Sequence, residues 1–213
     1  IFFLAALQAI PRSLTEAGIA PSAVSMYRYL LPGLVFLPFV KLRGPLAKFT
    51  AMGYCSGVLV SLGWVGYVRA LTIMPVPVAG VLYMTYPLFV LVVGWALFGD
   101  RPQIRAWIGG AIILCAALIV AQGATAGATG FGLGAVLLAL AAPAGFGLGI
   151  NVLTHKLVHL PLPARMAAFS LGSVTGLLPL VAQLPRAQAI PSDLNEVGLI
   201  VGLSLITALL PQL

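Results

Sequence analysis

The chain is 213 residues long, 61% hydrophobic and only 7% charged, with a formal net charge of +7 and a mean hydropathy of +1.12. Soluble domains carry about 25% charged residues, so this composition excludes a water-soluble globule and suits an outer surface that faces lipid. Nucleic-acid binding needs basic residues gathered on one solvated face, whereas the eleven Lys and Arg here are scattered between apolar runs; no nucleic acid is expected as a partner.

A membrane-spanning helix needs about 20 mostly apolar residues. In chain order, eight runs suit such helices: 1–16, 22–40, 50–72, 76–98, 104–122, 131–154, 163–184 and 195–213. They are too long and too uniformly apolar for spanning strands, which need about 10 alternating residues. The breaks carry turn chemistry. Pro21-Ser22 is suited to start the second run, with the proline in the first turn and the serine as a cap. Gly44-Pro45, Pro75 with Pro77, and Gly99-Asp100-Arg101-Pro102 close later runs. The chain reads as cut short at both ends, inside its first and last apolar runs. Ile1–Ile10 lacks the basic start of a secretory signal.

The loops differ in charge. Lys41, Arg43 and Lys48 follow the second run, Arg101 and Arg105 the fourth, and Lys156 and Arg165 the sixth. The alternate loops hold no basic residue except Arg186, set against Asp193 and Glu196. Basic loops stay in the cytoplasm, so the first run crosses from inside to outside. A weak repeat appears at an offset of 141 residues, pairing Leu37-Pro38 with Leu178-Pro179, Gly57 with Gly198 and Val60 with Val201. The paired runs cross in opposite directions, which is the inverted-repeat pattern of many secondary transporters. If each repeat has five helices, ten are expected in the complete protein. Residues 1–122 then form the first repeat, with its first helix truncated, and 131–213 an incomplete second.

Five stretches carry a resemblance: Gly66-Tyr-Val-Arg-Ala-Leu71, Val76-Pro-Val-Ala-Gly-Val-Leu82, Tyr86-Pro-Leu88, Leu97-Phe-Gly-Asp-Arg101 and Ile108-Gly-Gly110. Together they resemble the EamA-type domain of the drug/metabolite transporter superfamily. Arg28 matches the arginine usual in that family's second helix, and Asp100 stands where Glu is usual. The resemblance implies an all-α integral membrane protein, a polytopic bundle of two inverted five-helix halves with about eight helices in this chain. It also implies movement of small metabolites and a multi-pass place in a cell membrane, the bacterial inner membrane first.

Several residues are candidates for the solute path. Ionisable groups at membrane depth are costly and usually face a cavity or a partner. Arg28 lies about two turns into its helix, flanked by tyrosines, and is expected to border the path. Tyr67, Tyr83 and Tyr86 join it, the last two beside Pro87, whose missing N–H loosens a helix. Gln8 is placed in the cavity as well. Arg69 can join Arg28 in an electropositive outer vestibule, although snorkelling to the interface is the preferred reading for Arg69 and Arg12. Arg12 also stands at pairing distance from Glu16 along a helix. Asn151 is assigned to helix packing.

Other features have bland readings. Gly130-Phe-Gly-Leu-Gly134 and Gly145-Phe-Gly-Leu-Gly149 are not GxGxxG and follow no strand, so they are read as packing surfaces between helices. His155 and His159 stand four apart without a third ligand, and no metal is expected. Cys55 and Cys115 are expected as small buried hydrophobes. No cofactor is expected, and no ATP-binding motif is present.

The reading is a carrier working by alternating access, with its cavity between the inverted halves. Its partners are a small solute and the bilayer, with homodimerisation left open. Amino acids and related zwitterions or anions are the first-choice solutes. The alternatives are an intramembrane lipid-modifying enzyme, which would need an acid, His or Ser constellation at one depth, and a non-transporting scaffold. Orientation has a direct test. In a Cys-free background, a single cysteine within residues 41–48 should be shielded from an impermeant thiol reagent added outside. One within residues 124–129 should be labelled, and the reverse pattern would refute the orientation.

Overall fold

The computed structural model describes residue 10 and residues 13–41, 43–125 and 132–208. Among these residues the regular structure is helical, with no strand. The helices are α1 (Pro21–Val35), α2 (Ala47–Ala70), α3 (Val76–Tyr83), α4 (Tyr86–Val93), α5 (Ile104–Thr125), α6 (Leu133–His155), α7 (Leu162–Val181), α8 (Arg186–Ala189) and α9 (Leu194–Ala208). Four stretches are long and apolar enough to cross a bilayer: Ala47–Ala70, Val78–Phe98, Leu133–His155 and Leu162–Val181.

Prolines mark the starts and the breaks. α1, α3, α4 and α7 each carry one in the first two positions, where a missing N–H costs nothing. The expected cap at Ser22 is not used: the N-cap is Ala20, and Ser22 is buried inside the helix. The run 22–40 is helical only to Val35, then passes into a 3-10 turn at Leu37–Phe39. Pro38 ends it, because proline disfavours helical geometry in the residue before it and cannot donate. The run 163–184 stops at Val181, and the loop after it holds the single turn α8.

The run 76–98 departs furthest from one continuous helix. It breaks at Met84-Thr85, between α3 and α4. Pro87 removes the bond to the carbonyl four residues back, that of Tyr83, and its ring crowds that carbonyl. The Thr85 hydroxyl donates to Leu82 O at 2.6 Å. The run then ends in a π-helical turn, Gly94–Phe98, closed by Gly99 with φ 76°, a backbone conformation that glycine adopts without a Cβ clash.

The chain forms two compact units. The first contains residues 1–58 and 159–213. In it α1 packs on α7 and α9. Tyr27 donates its hydroxyl to Ala189 O at 2.6 Å, and Ala20 N–H donates to Gln188 O at 3.0 Å. At another point of this unit the Phe49 ring lies 5.0 Å from that of His159. The start of α2 beside Lys48 therefore meets the turn that leads to Arg165, and the start of α1 meets the 182–190 loop. The second unit is residues 59–158. Ala70, Met74, Val78 and Ala79 there form a buried cluster with Ala135 and Ala139.

Size sorting is the opposite of a soluble core. Ala, Gly and Ser dominate the interior, while Leu194, Leu133 and Ile104 are 89%, 75% and 72% exposed. In lipid there is little hydrophobic gain from burying a leucine, and small residues let backbones approach. A Cβ on Gly57 would strike the Phe169 carbonyl, and one on Gly172 the Tyr54 carbonyl, so α2 and α7 touch backbone to backbone. Gly57→Ala and Gly172→Ala should each destabilise the protein by about 1–3 kcal/mol, as overpacking does. Gly198→Ala in α9, where a Cβ meets nothing within 4 Å, should be neutral or gain up to about 1 kcal/mol of helix propensity. Thermal unfolding in detergent checks the contrast, and equal effects at all three sites would refute the close-packing account.

Candidate functional site

Beside the break between α3 and α4, five aromatic rings stand in contact. Trp64 and Tyr67 lie one turn apart on α2 and meet edge to face, with centroids 5.3 Å apart at 88°. Tyr83, the last residue of α3, lies 5.8 Å from Trp64 and 5.5 Å from Tyr67. Tyr86, the first residue of α4, is 6.2 Å from Tyr83 and 5.3 Å from Phe146 of α6. All five are half-buried. These separations match the offset and edge-on contacts that aromatic quadrupoles favour.

Small residues bring these helices together. Gly63 and Gly66 of α2 lie against Ala141 and Leu138 of α6, and Gly147 passes the backbone of Phe89 at 2.8 Å from the position a Cβ would take. The Gly-Phe-Gly-Leu-Gly stretch at 145–149 is thus a helix-packing surface, as read from the sequence. The similar stretch beginning at Gly130 lies partly outside the described residues. Phe146 sits between two of the packing glycines and is carried onto Tyr86.

A second, polar cluster lies where the π-turn meets the end of α6. His155 Nε2 is 2.8 Å from Asp100 Oδ1, and its Nδ1 is 3.0 Å from Asn151 O and from Thr154 Oγ1. Asn151 Nδ2 donates to Val90 O at 2.9 Å and Gly147 O at 2.8 Å, so this residue ties α6 to α4. Gly94 makes room for the cluster. A Cβ there would stand 2.6 Å from Asp100 Oδ2 and 2.9 Å from Asn151 Oδ1. The Phe98 ring lies 4.8 Å from His155, with Lys156 Nζ 5.9 Å from its centroid.

Of the residues singled out in the sequence, Tyr67, Tyr83 and Tyr86 are brought into one cluster. Arg28 lies in the first unit. It is exposed on α1, with its guanidinium 5.6 Å from the Tyr29 ring centroid, and Tyr29 meets Phe169 at 5.9 Å. Arg69 is exposed in the last turn of α2. Gln8 and Arg12 lie outside the described residues. His155 and His159 take separate partners, Asp100 and Phe49, and no group of three His, Cys, Asp or Glu gathers among the described residues. Cys55 and Cys115 are exposed rather than buried, on faces among large apolar residues. Sequence reasoning missed Trp64 and Phe146. Trp64 stood three residues before Tyr67, on the same helical face, and that spacing was the available signal. It also missed the Asp100–His155 contact, which joins residues 55 positions apart, and the buried Nε of Arg165, which has no hydrogen-bond partner.

No curated protein and no solved structure shows a match to this chain. Residues 1–122, more than half of the chain, match the EamA-like transporter family. Apolar helices able to cross a bilayer, broken by proline and packed through small residues, fit that assignment: the chain belongs to the EamA-like transporter family and is a multi-pass, all-helical membrane protein of the drug/metabolite transporter type.

Proposed function

We propose that the protein is a secondary carrier that moves a small organic solute by alternating access, with the rings of Trp64, Tyr67, Tyr83, Tyr86 and Phe146 bordering the solute path. The observation that carries this reading is the helix break at Met84-Thr85 set among those rings. Irregular backbone at membrane depth is tolerated where protein or a water-filled cavity satisfies it, and discontinuous helices form the substrate sites of many carriers. Tyrosines offer a solute both an apolar face and a hydroxyl. Residues 1–122 and 131–213 are proposed as the two inverted repeats.

Amino acids and related zwitterions or anions remain the first-choice solutes. Arg28 is proposed as the carboxylate contact of the first unit, because its planar fork can grip a carboxylate in two places. Arg69 and Gln8 are weaker members of the path. Coupling to an ion gradient, or to the solute's own gradient, supplies the driving force.

The test is uptake of a panel of labelled amino acids into proteoliposomes. Tyr83→Ala should lower kcat/KM for the preferred solute about tenfold, the value of one good aromatic contact, while Tyr83→Phe should keep most of it. Arg28→Lys should impair transport clearly, because it keeps the charge and loses the fork, and Arg28→Ala should impair it further. Wild-type rates in all of these at normal expression would refute the site. No flux of any solute, with a lipid substrate turned over instead, would favour a lipid-modifying enzyme.

A further inference from the structure

We propose that the exposed face of α5, with the turn before it, is a binding site for an anionic phospholipid, its headgroup held by Arg101 and Arg105 and its acyl chains lying along Ile104, Ile108 and Ile112. The inference stands apart from the transport reading and needs only that the chain lies in a bilayer.

The charge balance of residues 59–158 comes first. Asp100 is the only acid in this stretch, and its carboxylate is engaged by His155 at 2.8 Å. Arg101 and Arg105 are exposed, and no acid among the described residues pairs with either. α5 has no acid in its first turn. Two guanidinium forks thus stand side by side in the sequence without an anion, at the edge of an apolar surface.

That surface has the shape of a lipid's tails. Ile104, Ile108 and Ile112 recur at a spacing of four, which puts them on one helical stripe, and they are 72%, 54% and 64% exposed. Large apolar groups so placed are covered by acyl chains in a membrane. An aromatic pair adjoins the stripe: Trp95, 56% exposed, meets Trp107 of α5 at 5.9 Å and 85°. Indoles settle at the headgroup level, apolar body towards the chains and N–H towards the polar region. Arginine's fork matches the oxygens of a phosphate. Arg105, Trp107, Ile108 and Ile112 follow one another along α5, in the order of phosphate, glycerol region and acyl chain, with Ile104 beside the arginines at the helix start. A zwitterionic headgroup carries its own cation and cannot neutralise the two arginines.

The experiment uses the full protein in nanodiscs of phosphatidylcholine, with Trp64→Phe so that Trp95 and Trp107 report alone. Equal minor fractions of brominated-chain phosphatidylglycerol or brominated-chain phosphatidylcholine are added, and tryptophan quenching is read. Each arginine should enrich the anionic lipid locally about fivefold, so phosphatidylglycerol should quench well beyond phosphatidylcholine. Arg101→Gln with Arg105→Gln should bring the two lipids level. Equal quenching before substitution, or an excess that survives it, overturns the proposal. So does loss of the excess when inorganic phosphate replaces chloride at constant ionic strength, which would show that a free phosphate displaces the lipid and is the preferred occupant. An absence of quenching by either lipid would mean that a second copy covers the face, and would overturn it too.

Discussion

α2 and α7 can lie backbone against backbone only because Gly57 and Gly172 present no Cβ to the carbonyls of Phe169 and Tyr54. Much of the first unit follows from that contact. In lipid, two helices gain little by hiding leucine from tails that resemble leucine, so the attraction has to come from close van der Waals fit and short polar contacts. The same requirement places Ser173 Oγ 3.4 Å from Gly57 O. Ser204, completely buried, donates to Tyr27 O at 3.1 Å. Each hydroxyl is spent on a backbone carbonyl, which is how a polar group survives where water is absent. In the second unit Gly63 and Gly66 do for α2 and α6 what Gly57 and Gly172 do for α2 and α7.

Close packing of this kind also sets what an interruption costs. A helix broken inside a bilayer exposes carbonyls, and each unsatisfied one is expensive. At Met84-Thr85 the break is managed locally: Met84 N–H donates to Gly80 O, Thr85 N–H to Leu82 O, and Leu88 N–H back to Thr85 O. Further along, where the helix widens to a π-turn, Asn151 supplies an extra donor to Val90 O, and Asp100 N–H returns to Gly94 O at 3.1 Å. Irregular backbone is therefore concentrated in one run and supported by named side chains from α6. π-turns occur often at functional positions, and this one leads into the polar cluster of Asp100 and His155.

What was legible in the sequence, and what was not, divides along local and non-local physics. The apolar runs announced the helices, because in lipid a continuous apolar stretch has little else to become. Pro87 announced trouble in the run 76–98, and the trouble is a short turn at Met84-Thr85 whose two residues keep right-handed helical dihedrals. The stop at Val35 was also within reach, since Pro38 follows, but the uninterrupted apolarity from Leu34 to Val40 masked it. The mistaken cap at Ser22 has the same origin: a residue type was read as its commonest role, while here the tertiary contact of Ala20 N–H with Gln188 O holds the helix start. Tyr67, Tyr83 and Tyr86 could be named from their types and from the proline, but their meeting depends on α3 folding back on α2. Phe146 and the partner of Asp100 were out of reach for that reason, whereas Trp64 shared a helical face with Tyr67 and could have been named with it. No periodicity within a helix says which ring across the bundle it will touch.

The scarcity of acids ties these observations together. A chain with eleven Lys and Arg and four Asp and Glu cannot neutralise itself, so each carboxylate matters individually. Asp100 is held by His155. Glu196 is turned back onto its own helix start, where Oε2 accepts from Ser192 N–H at 2.7 Å and from Asp193 N–H at 3.4 Å, the second being the N-cap bond of a capping box. Neither is available to a distant arginine. Arg28 rests over the face of Tyr29, a contact worth about 0.5–1 kcal/mol at an exposed site, which steadies the guanidinium without neutralising it. The proposed roles of Arg28 at the solute path and of Arg101 and Arg105 at lipid headgroups would give these three arginines their counter-charges outside the polypeptide. For a chain whose interior is built from glycine, alanine and serine, that arrangement keeps ion pairing out of helix contacts that have no room for it.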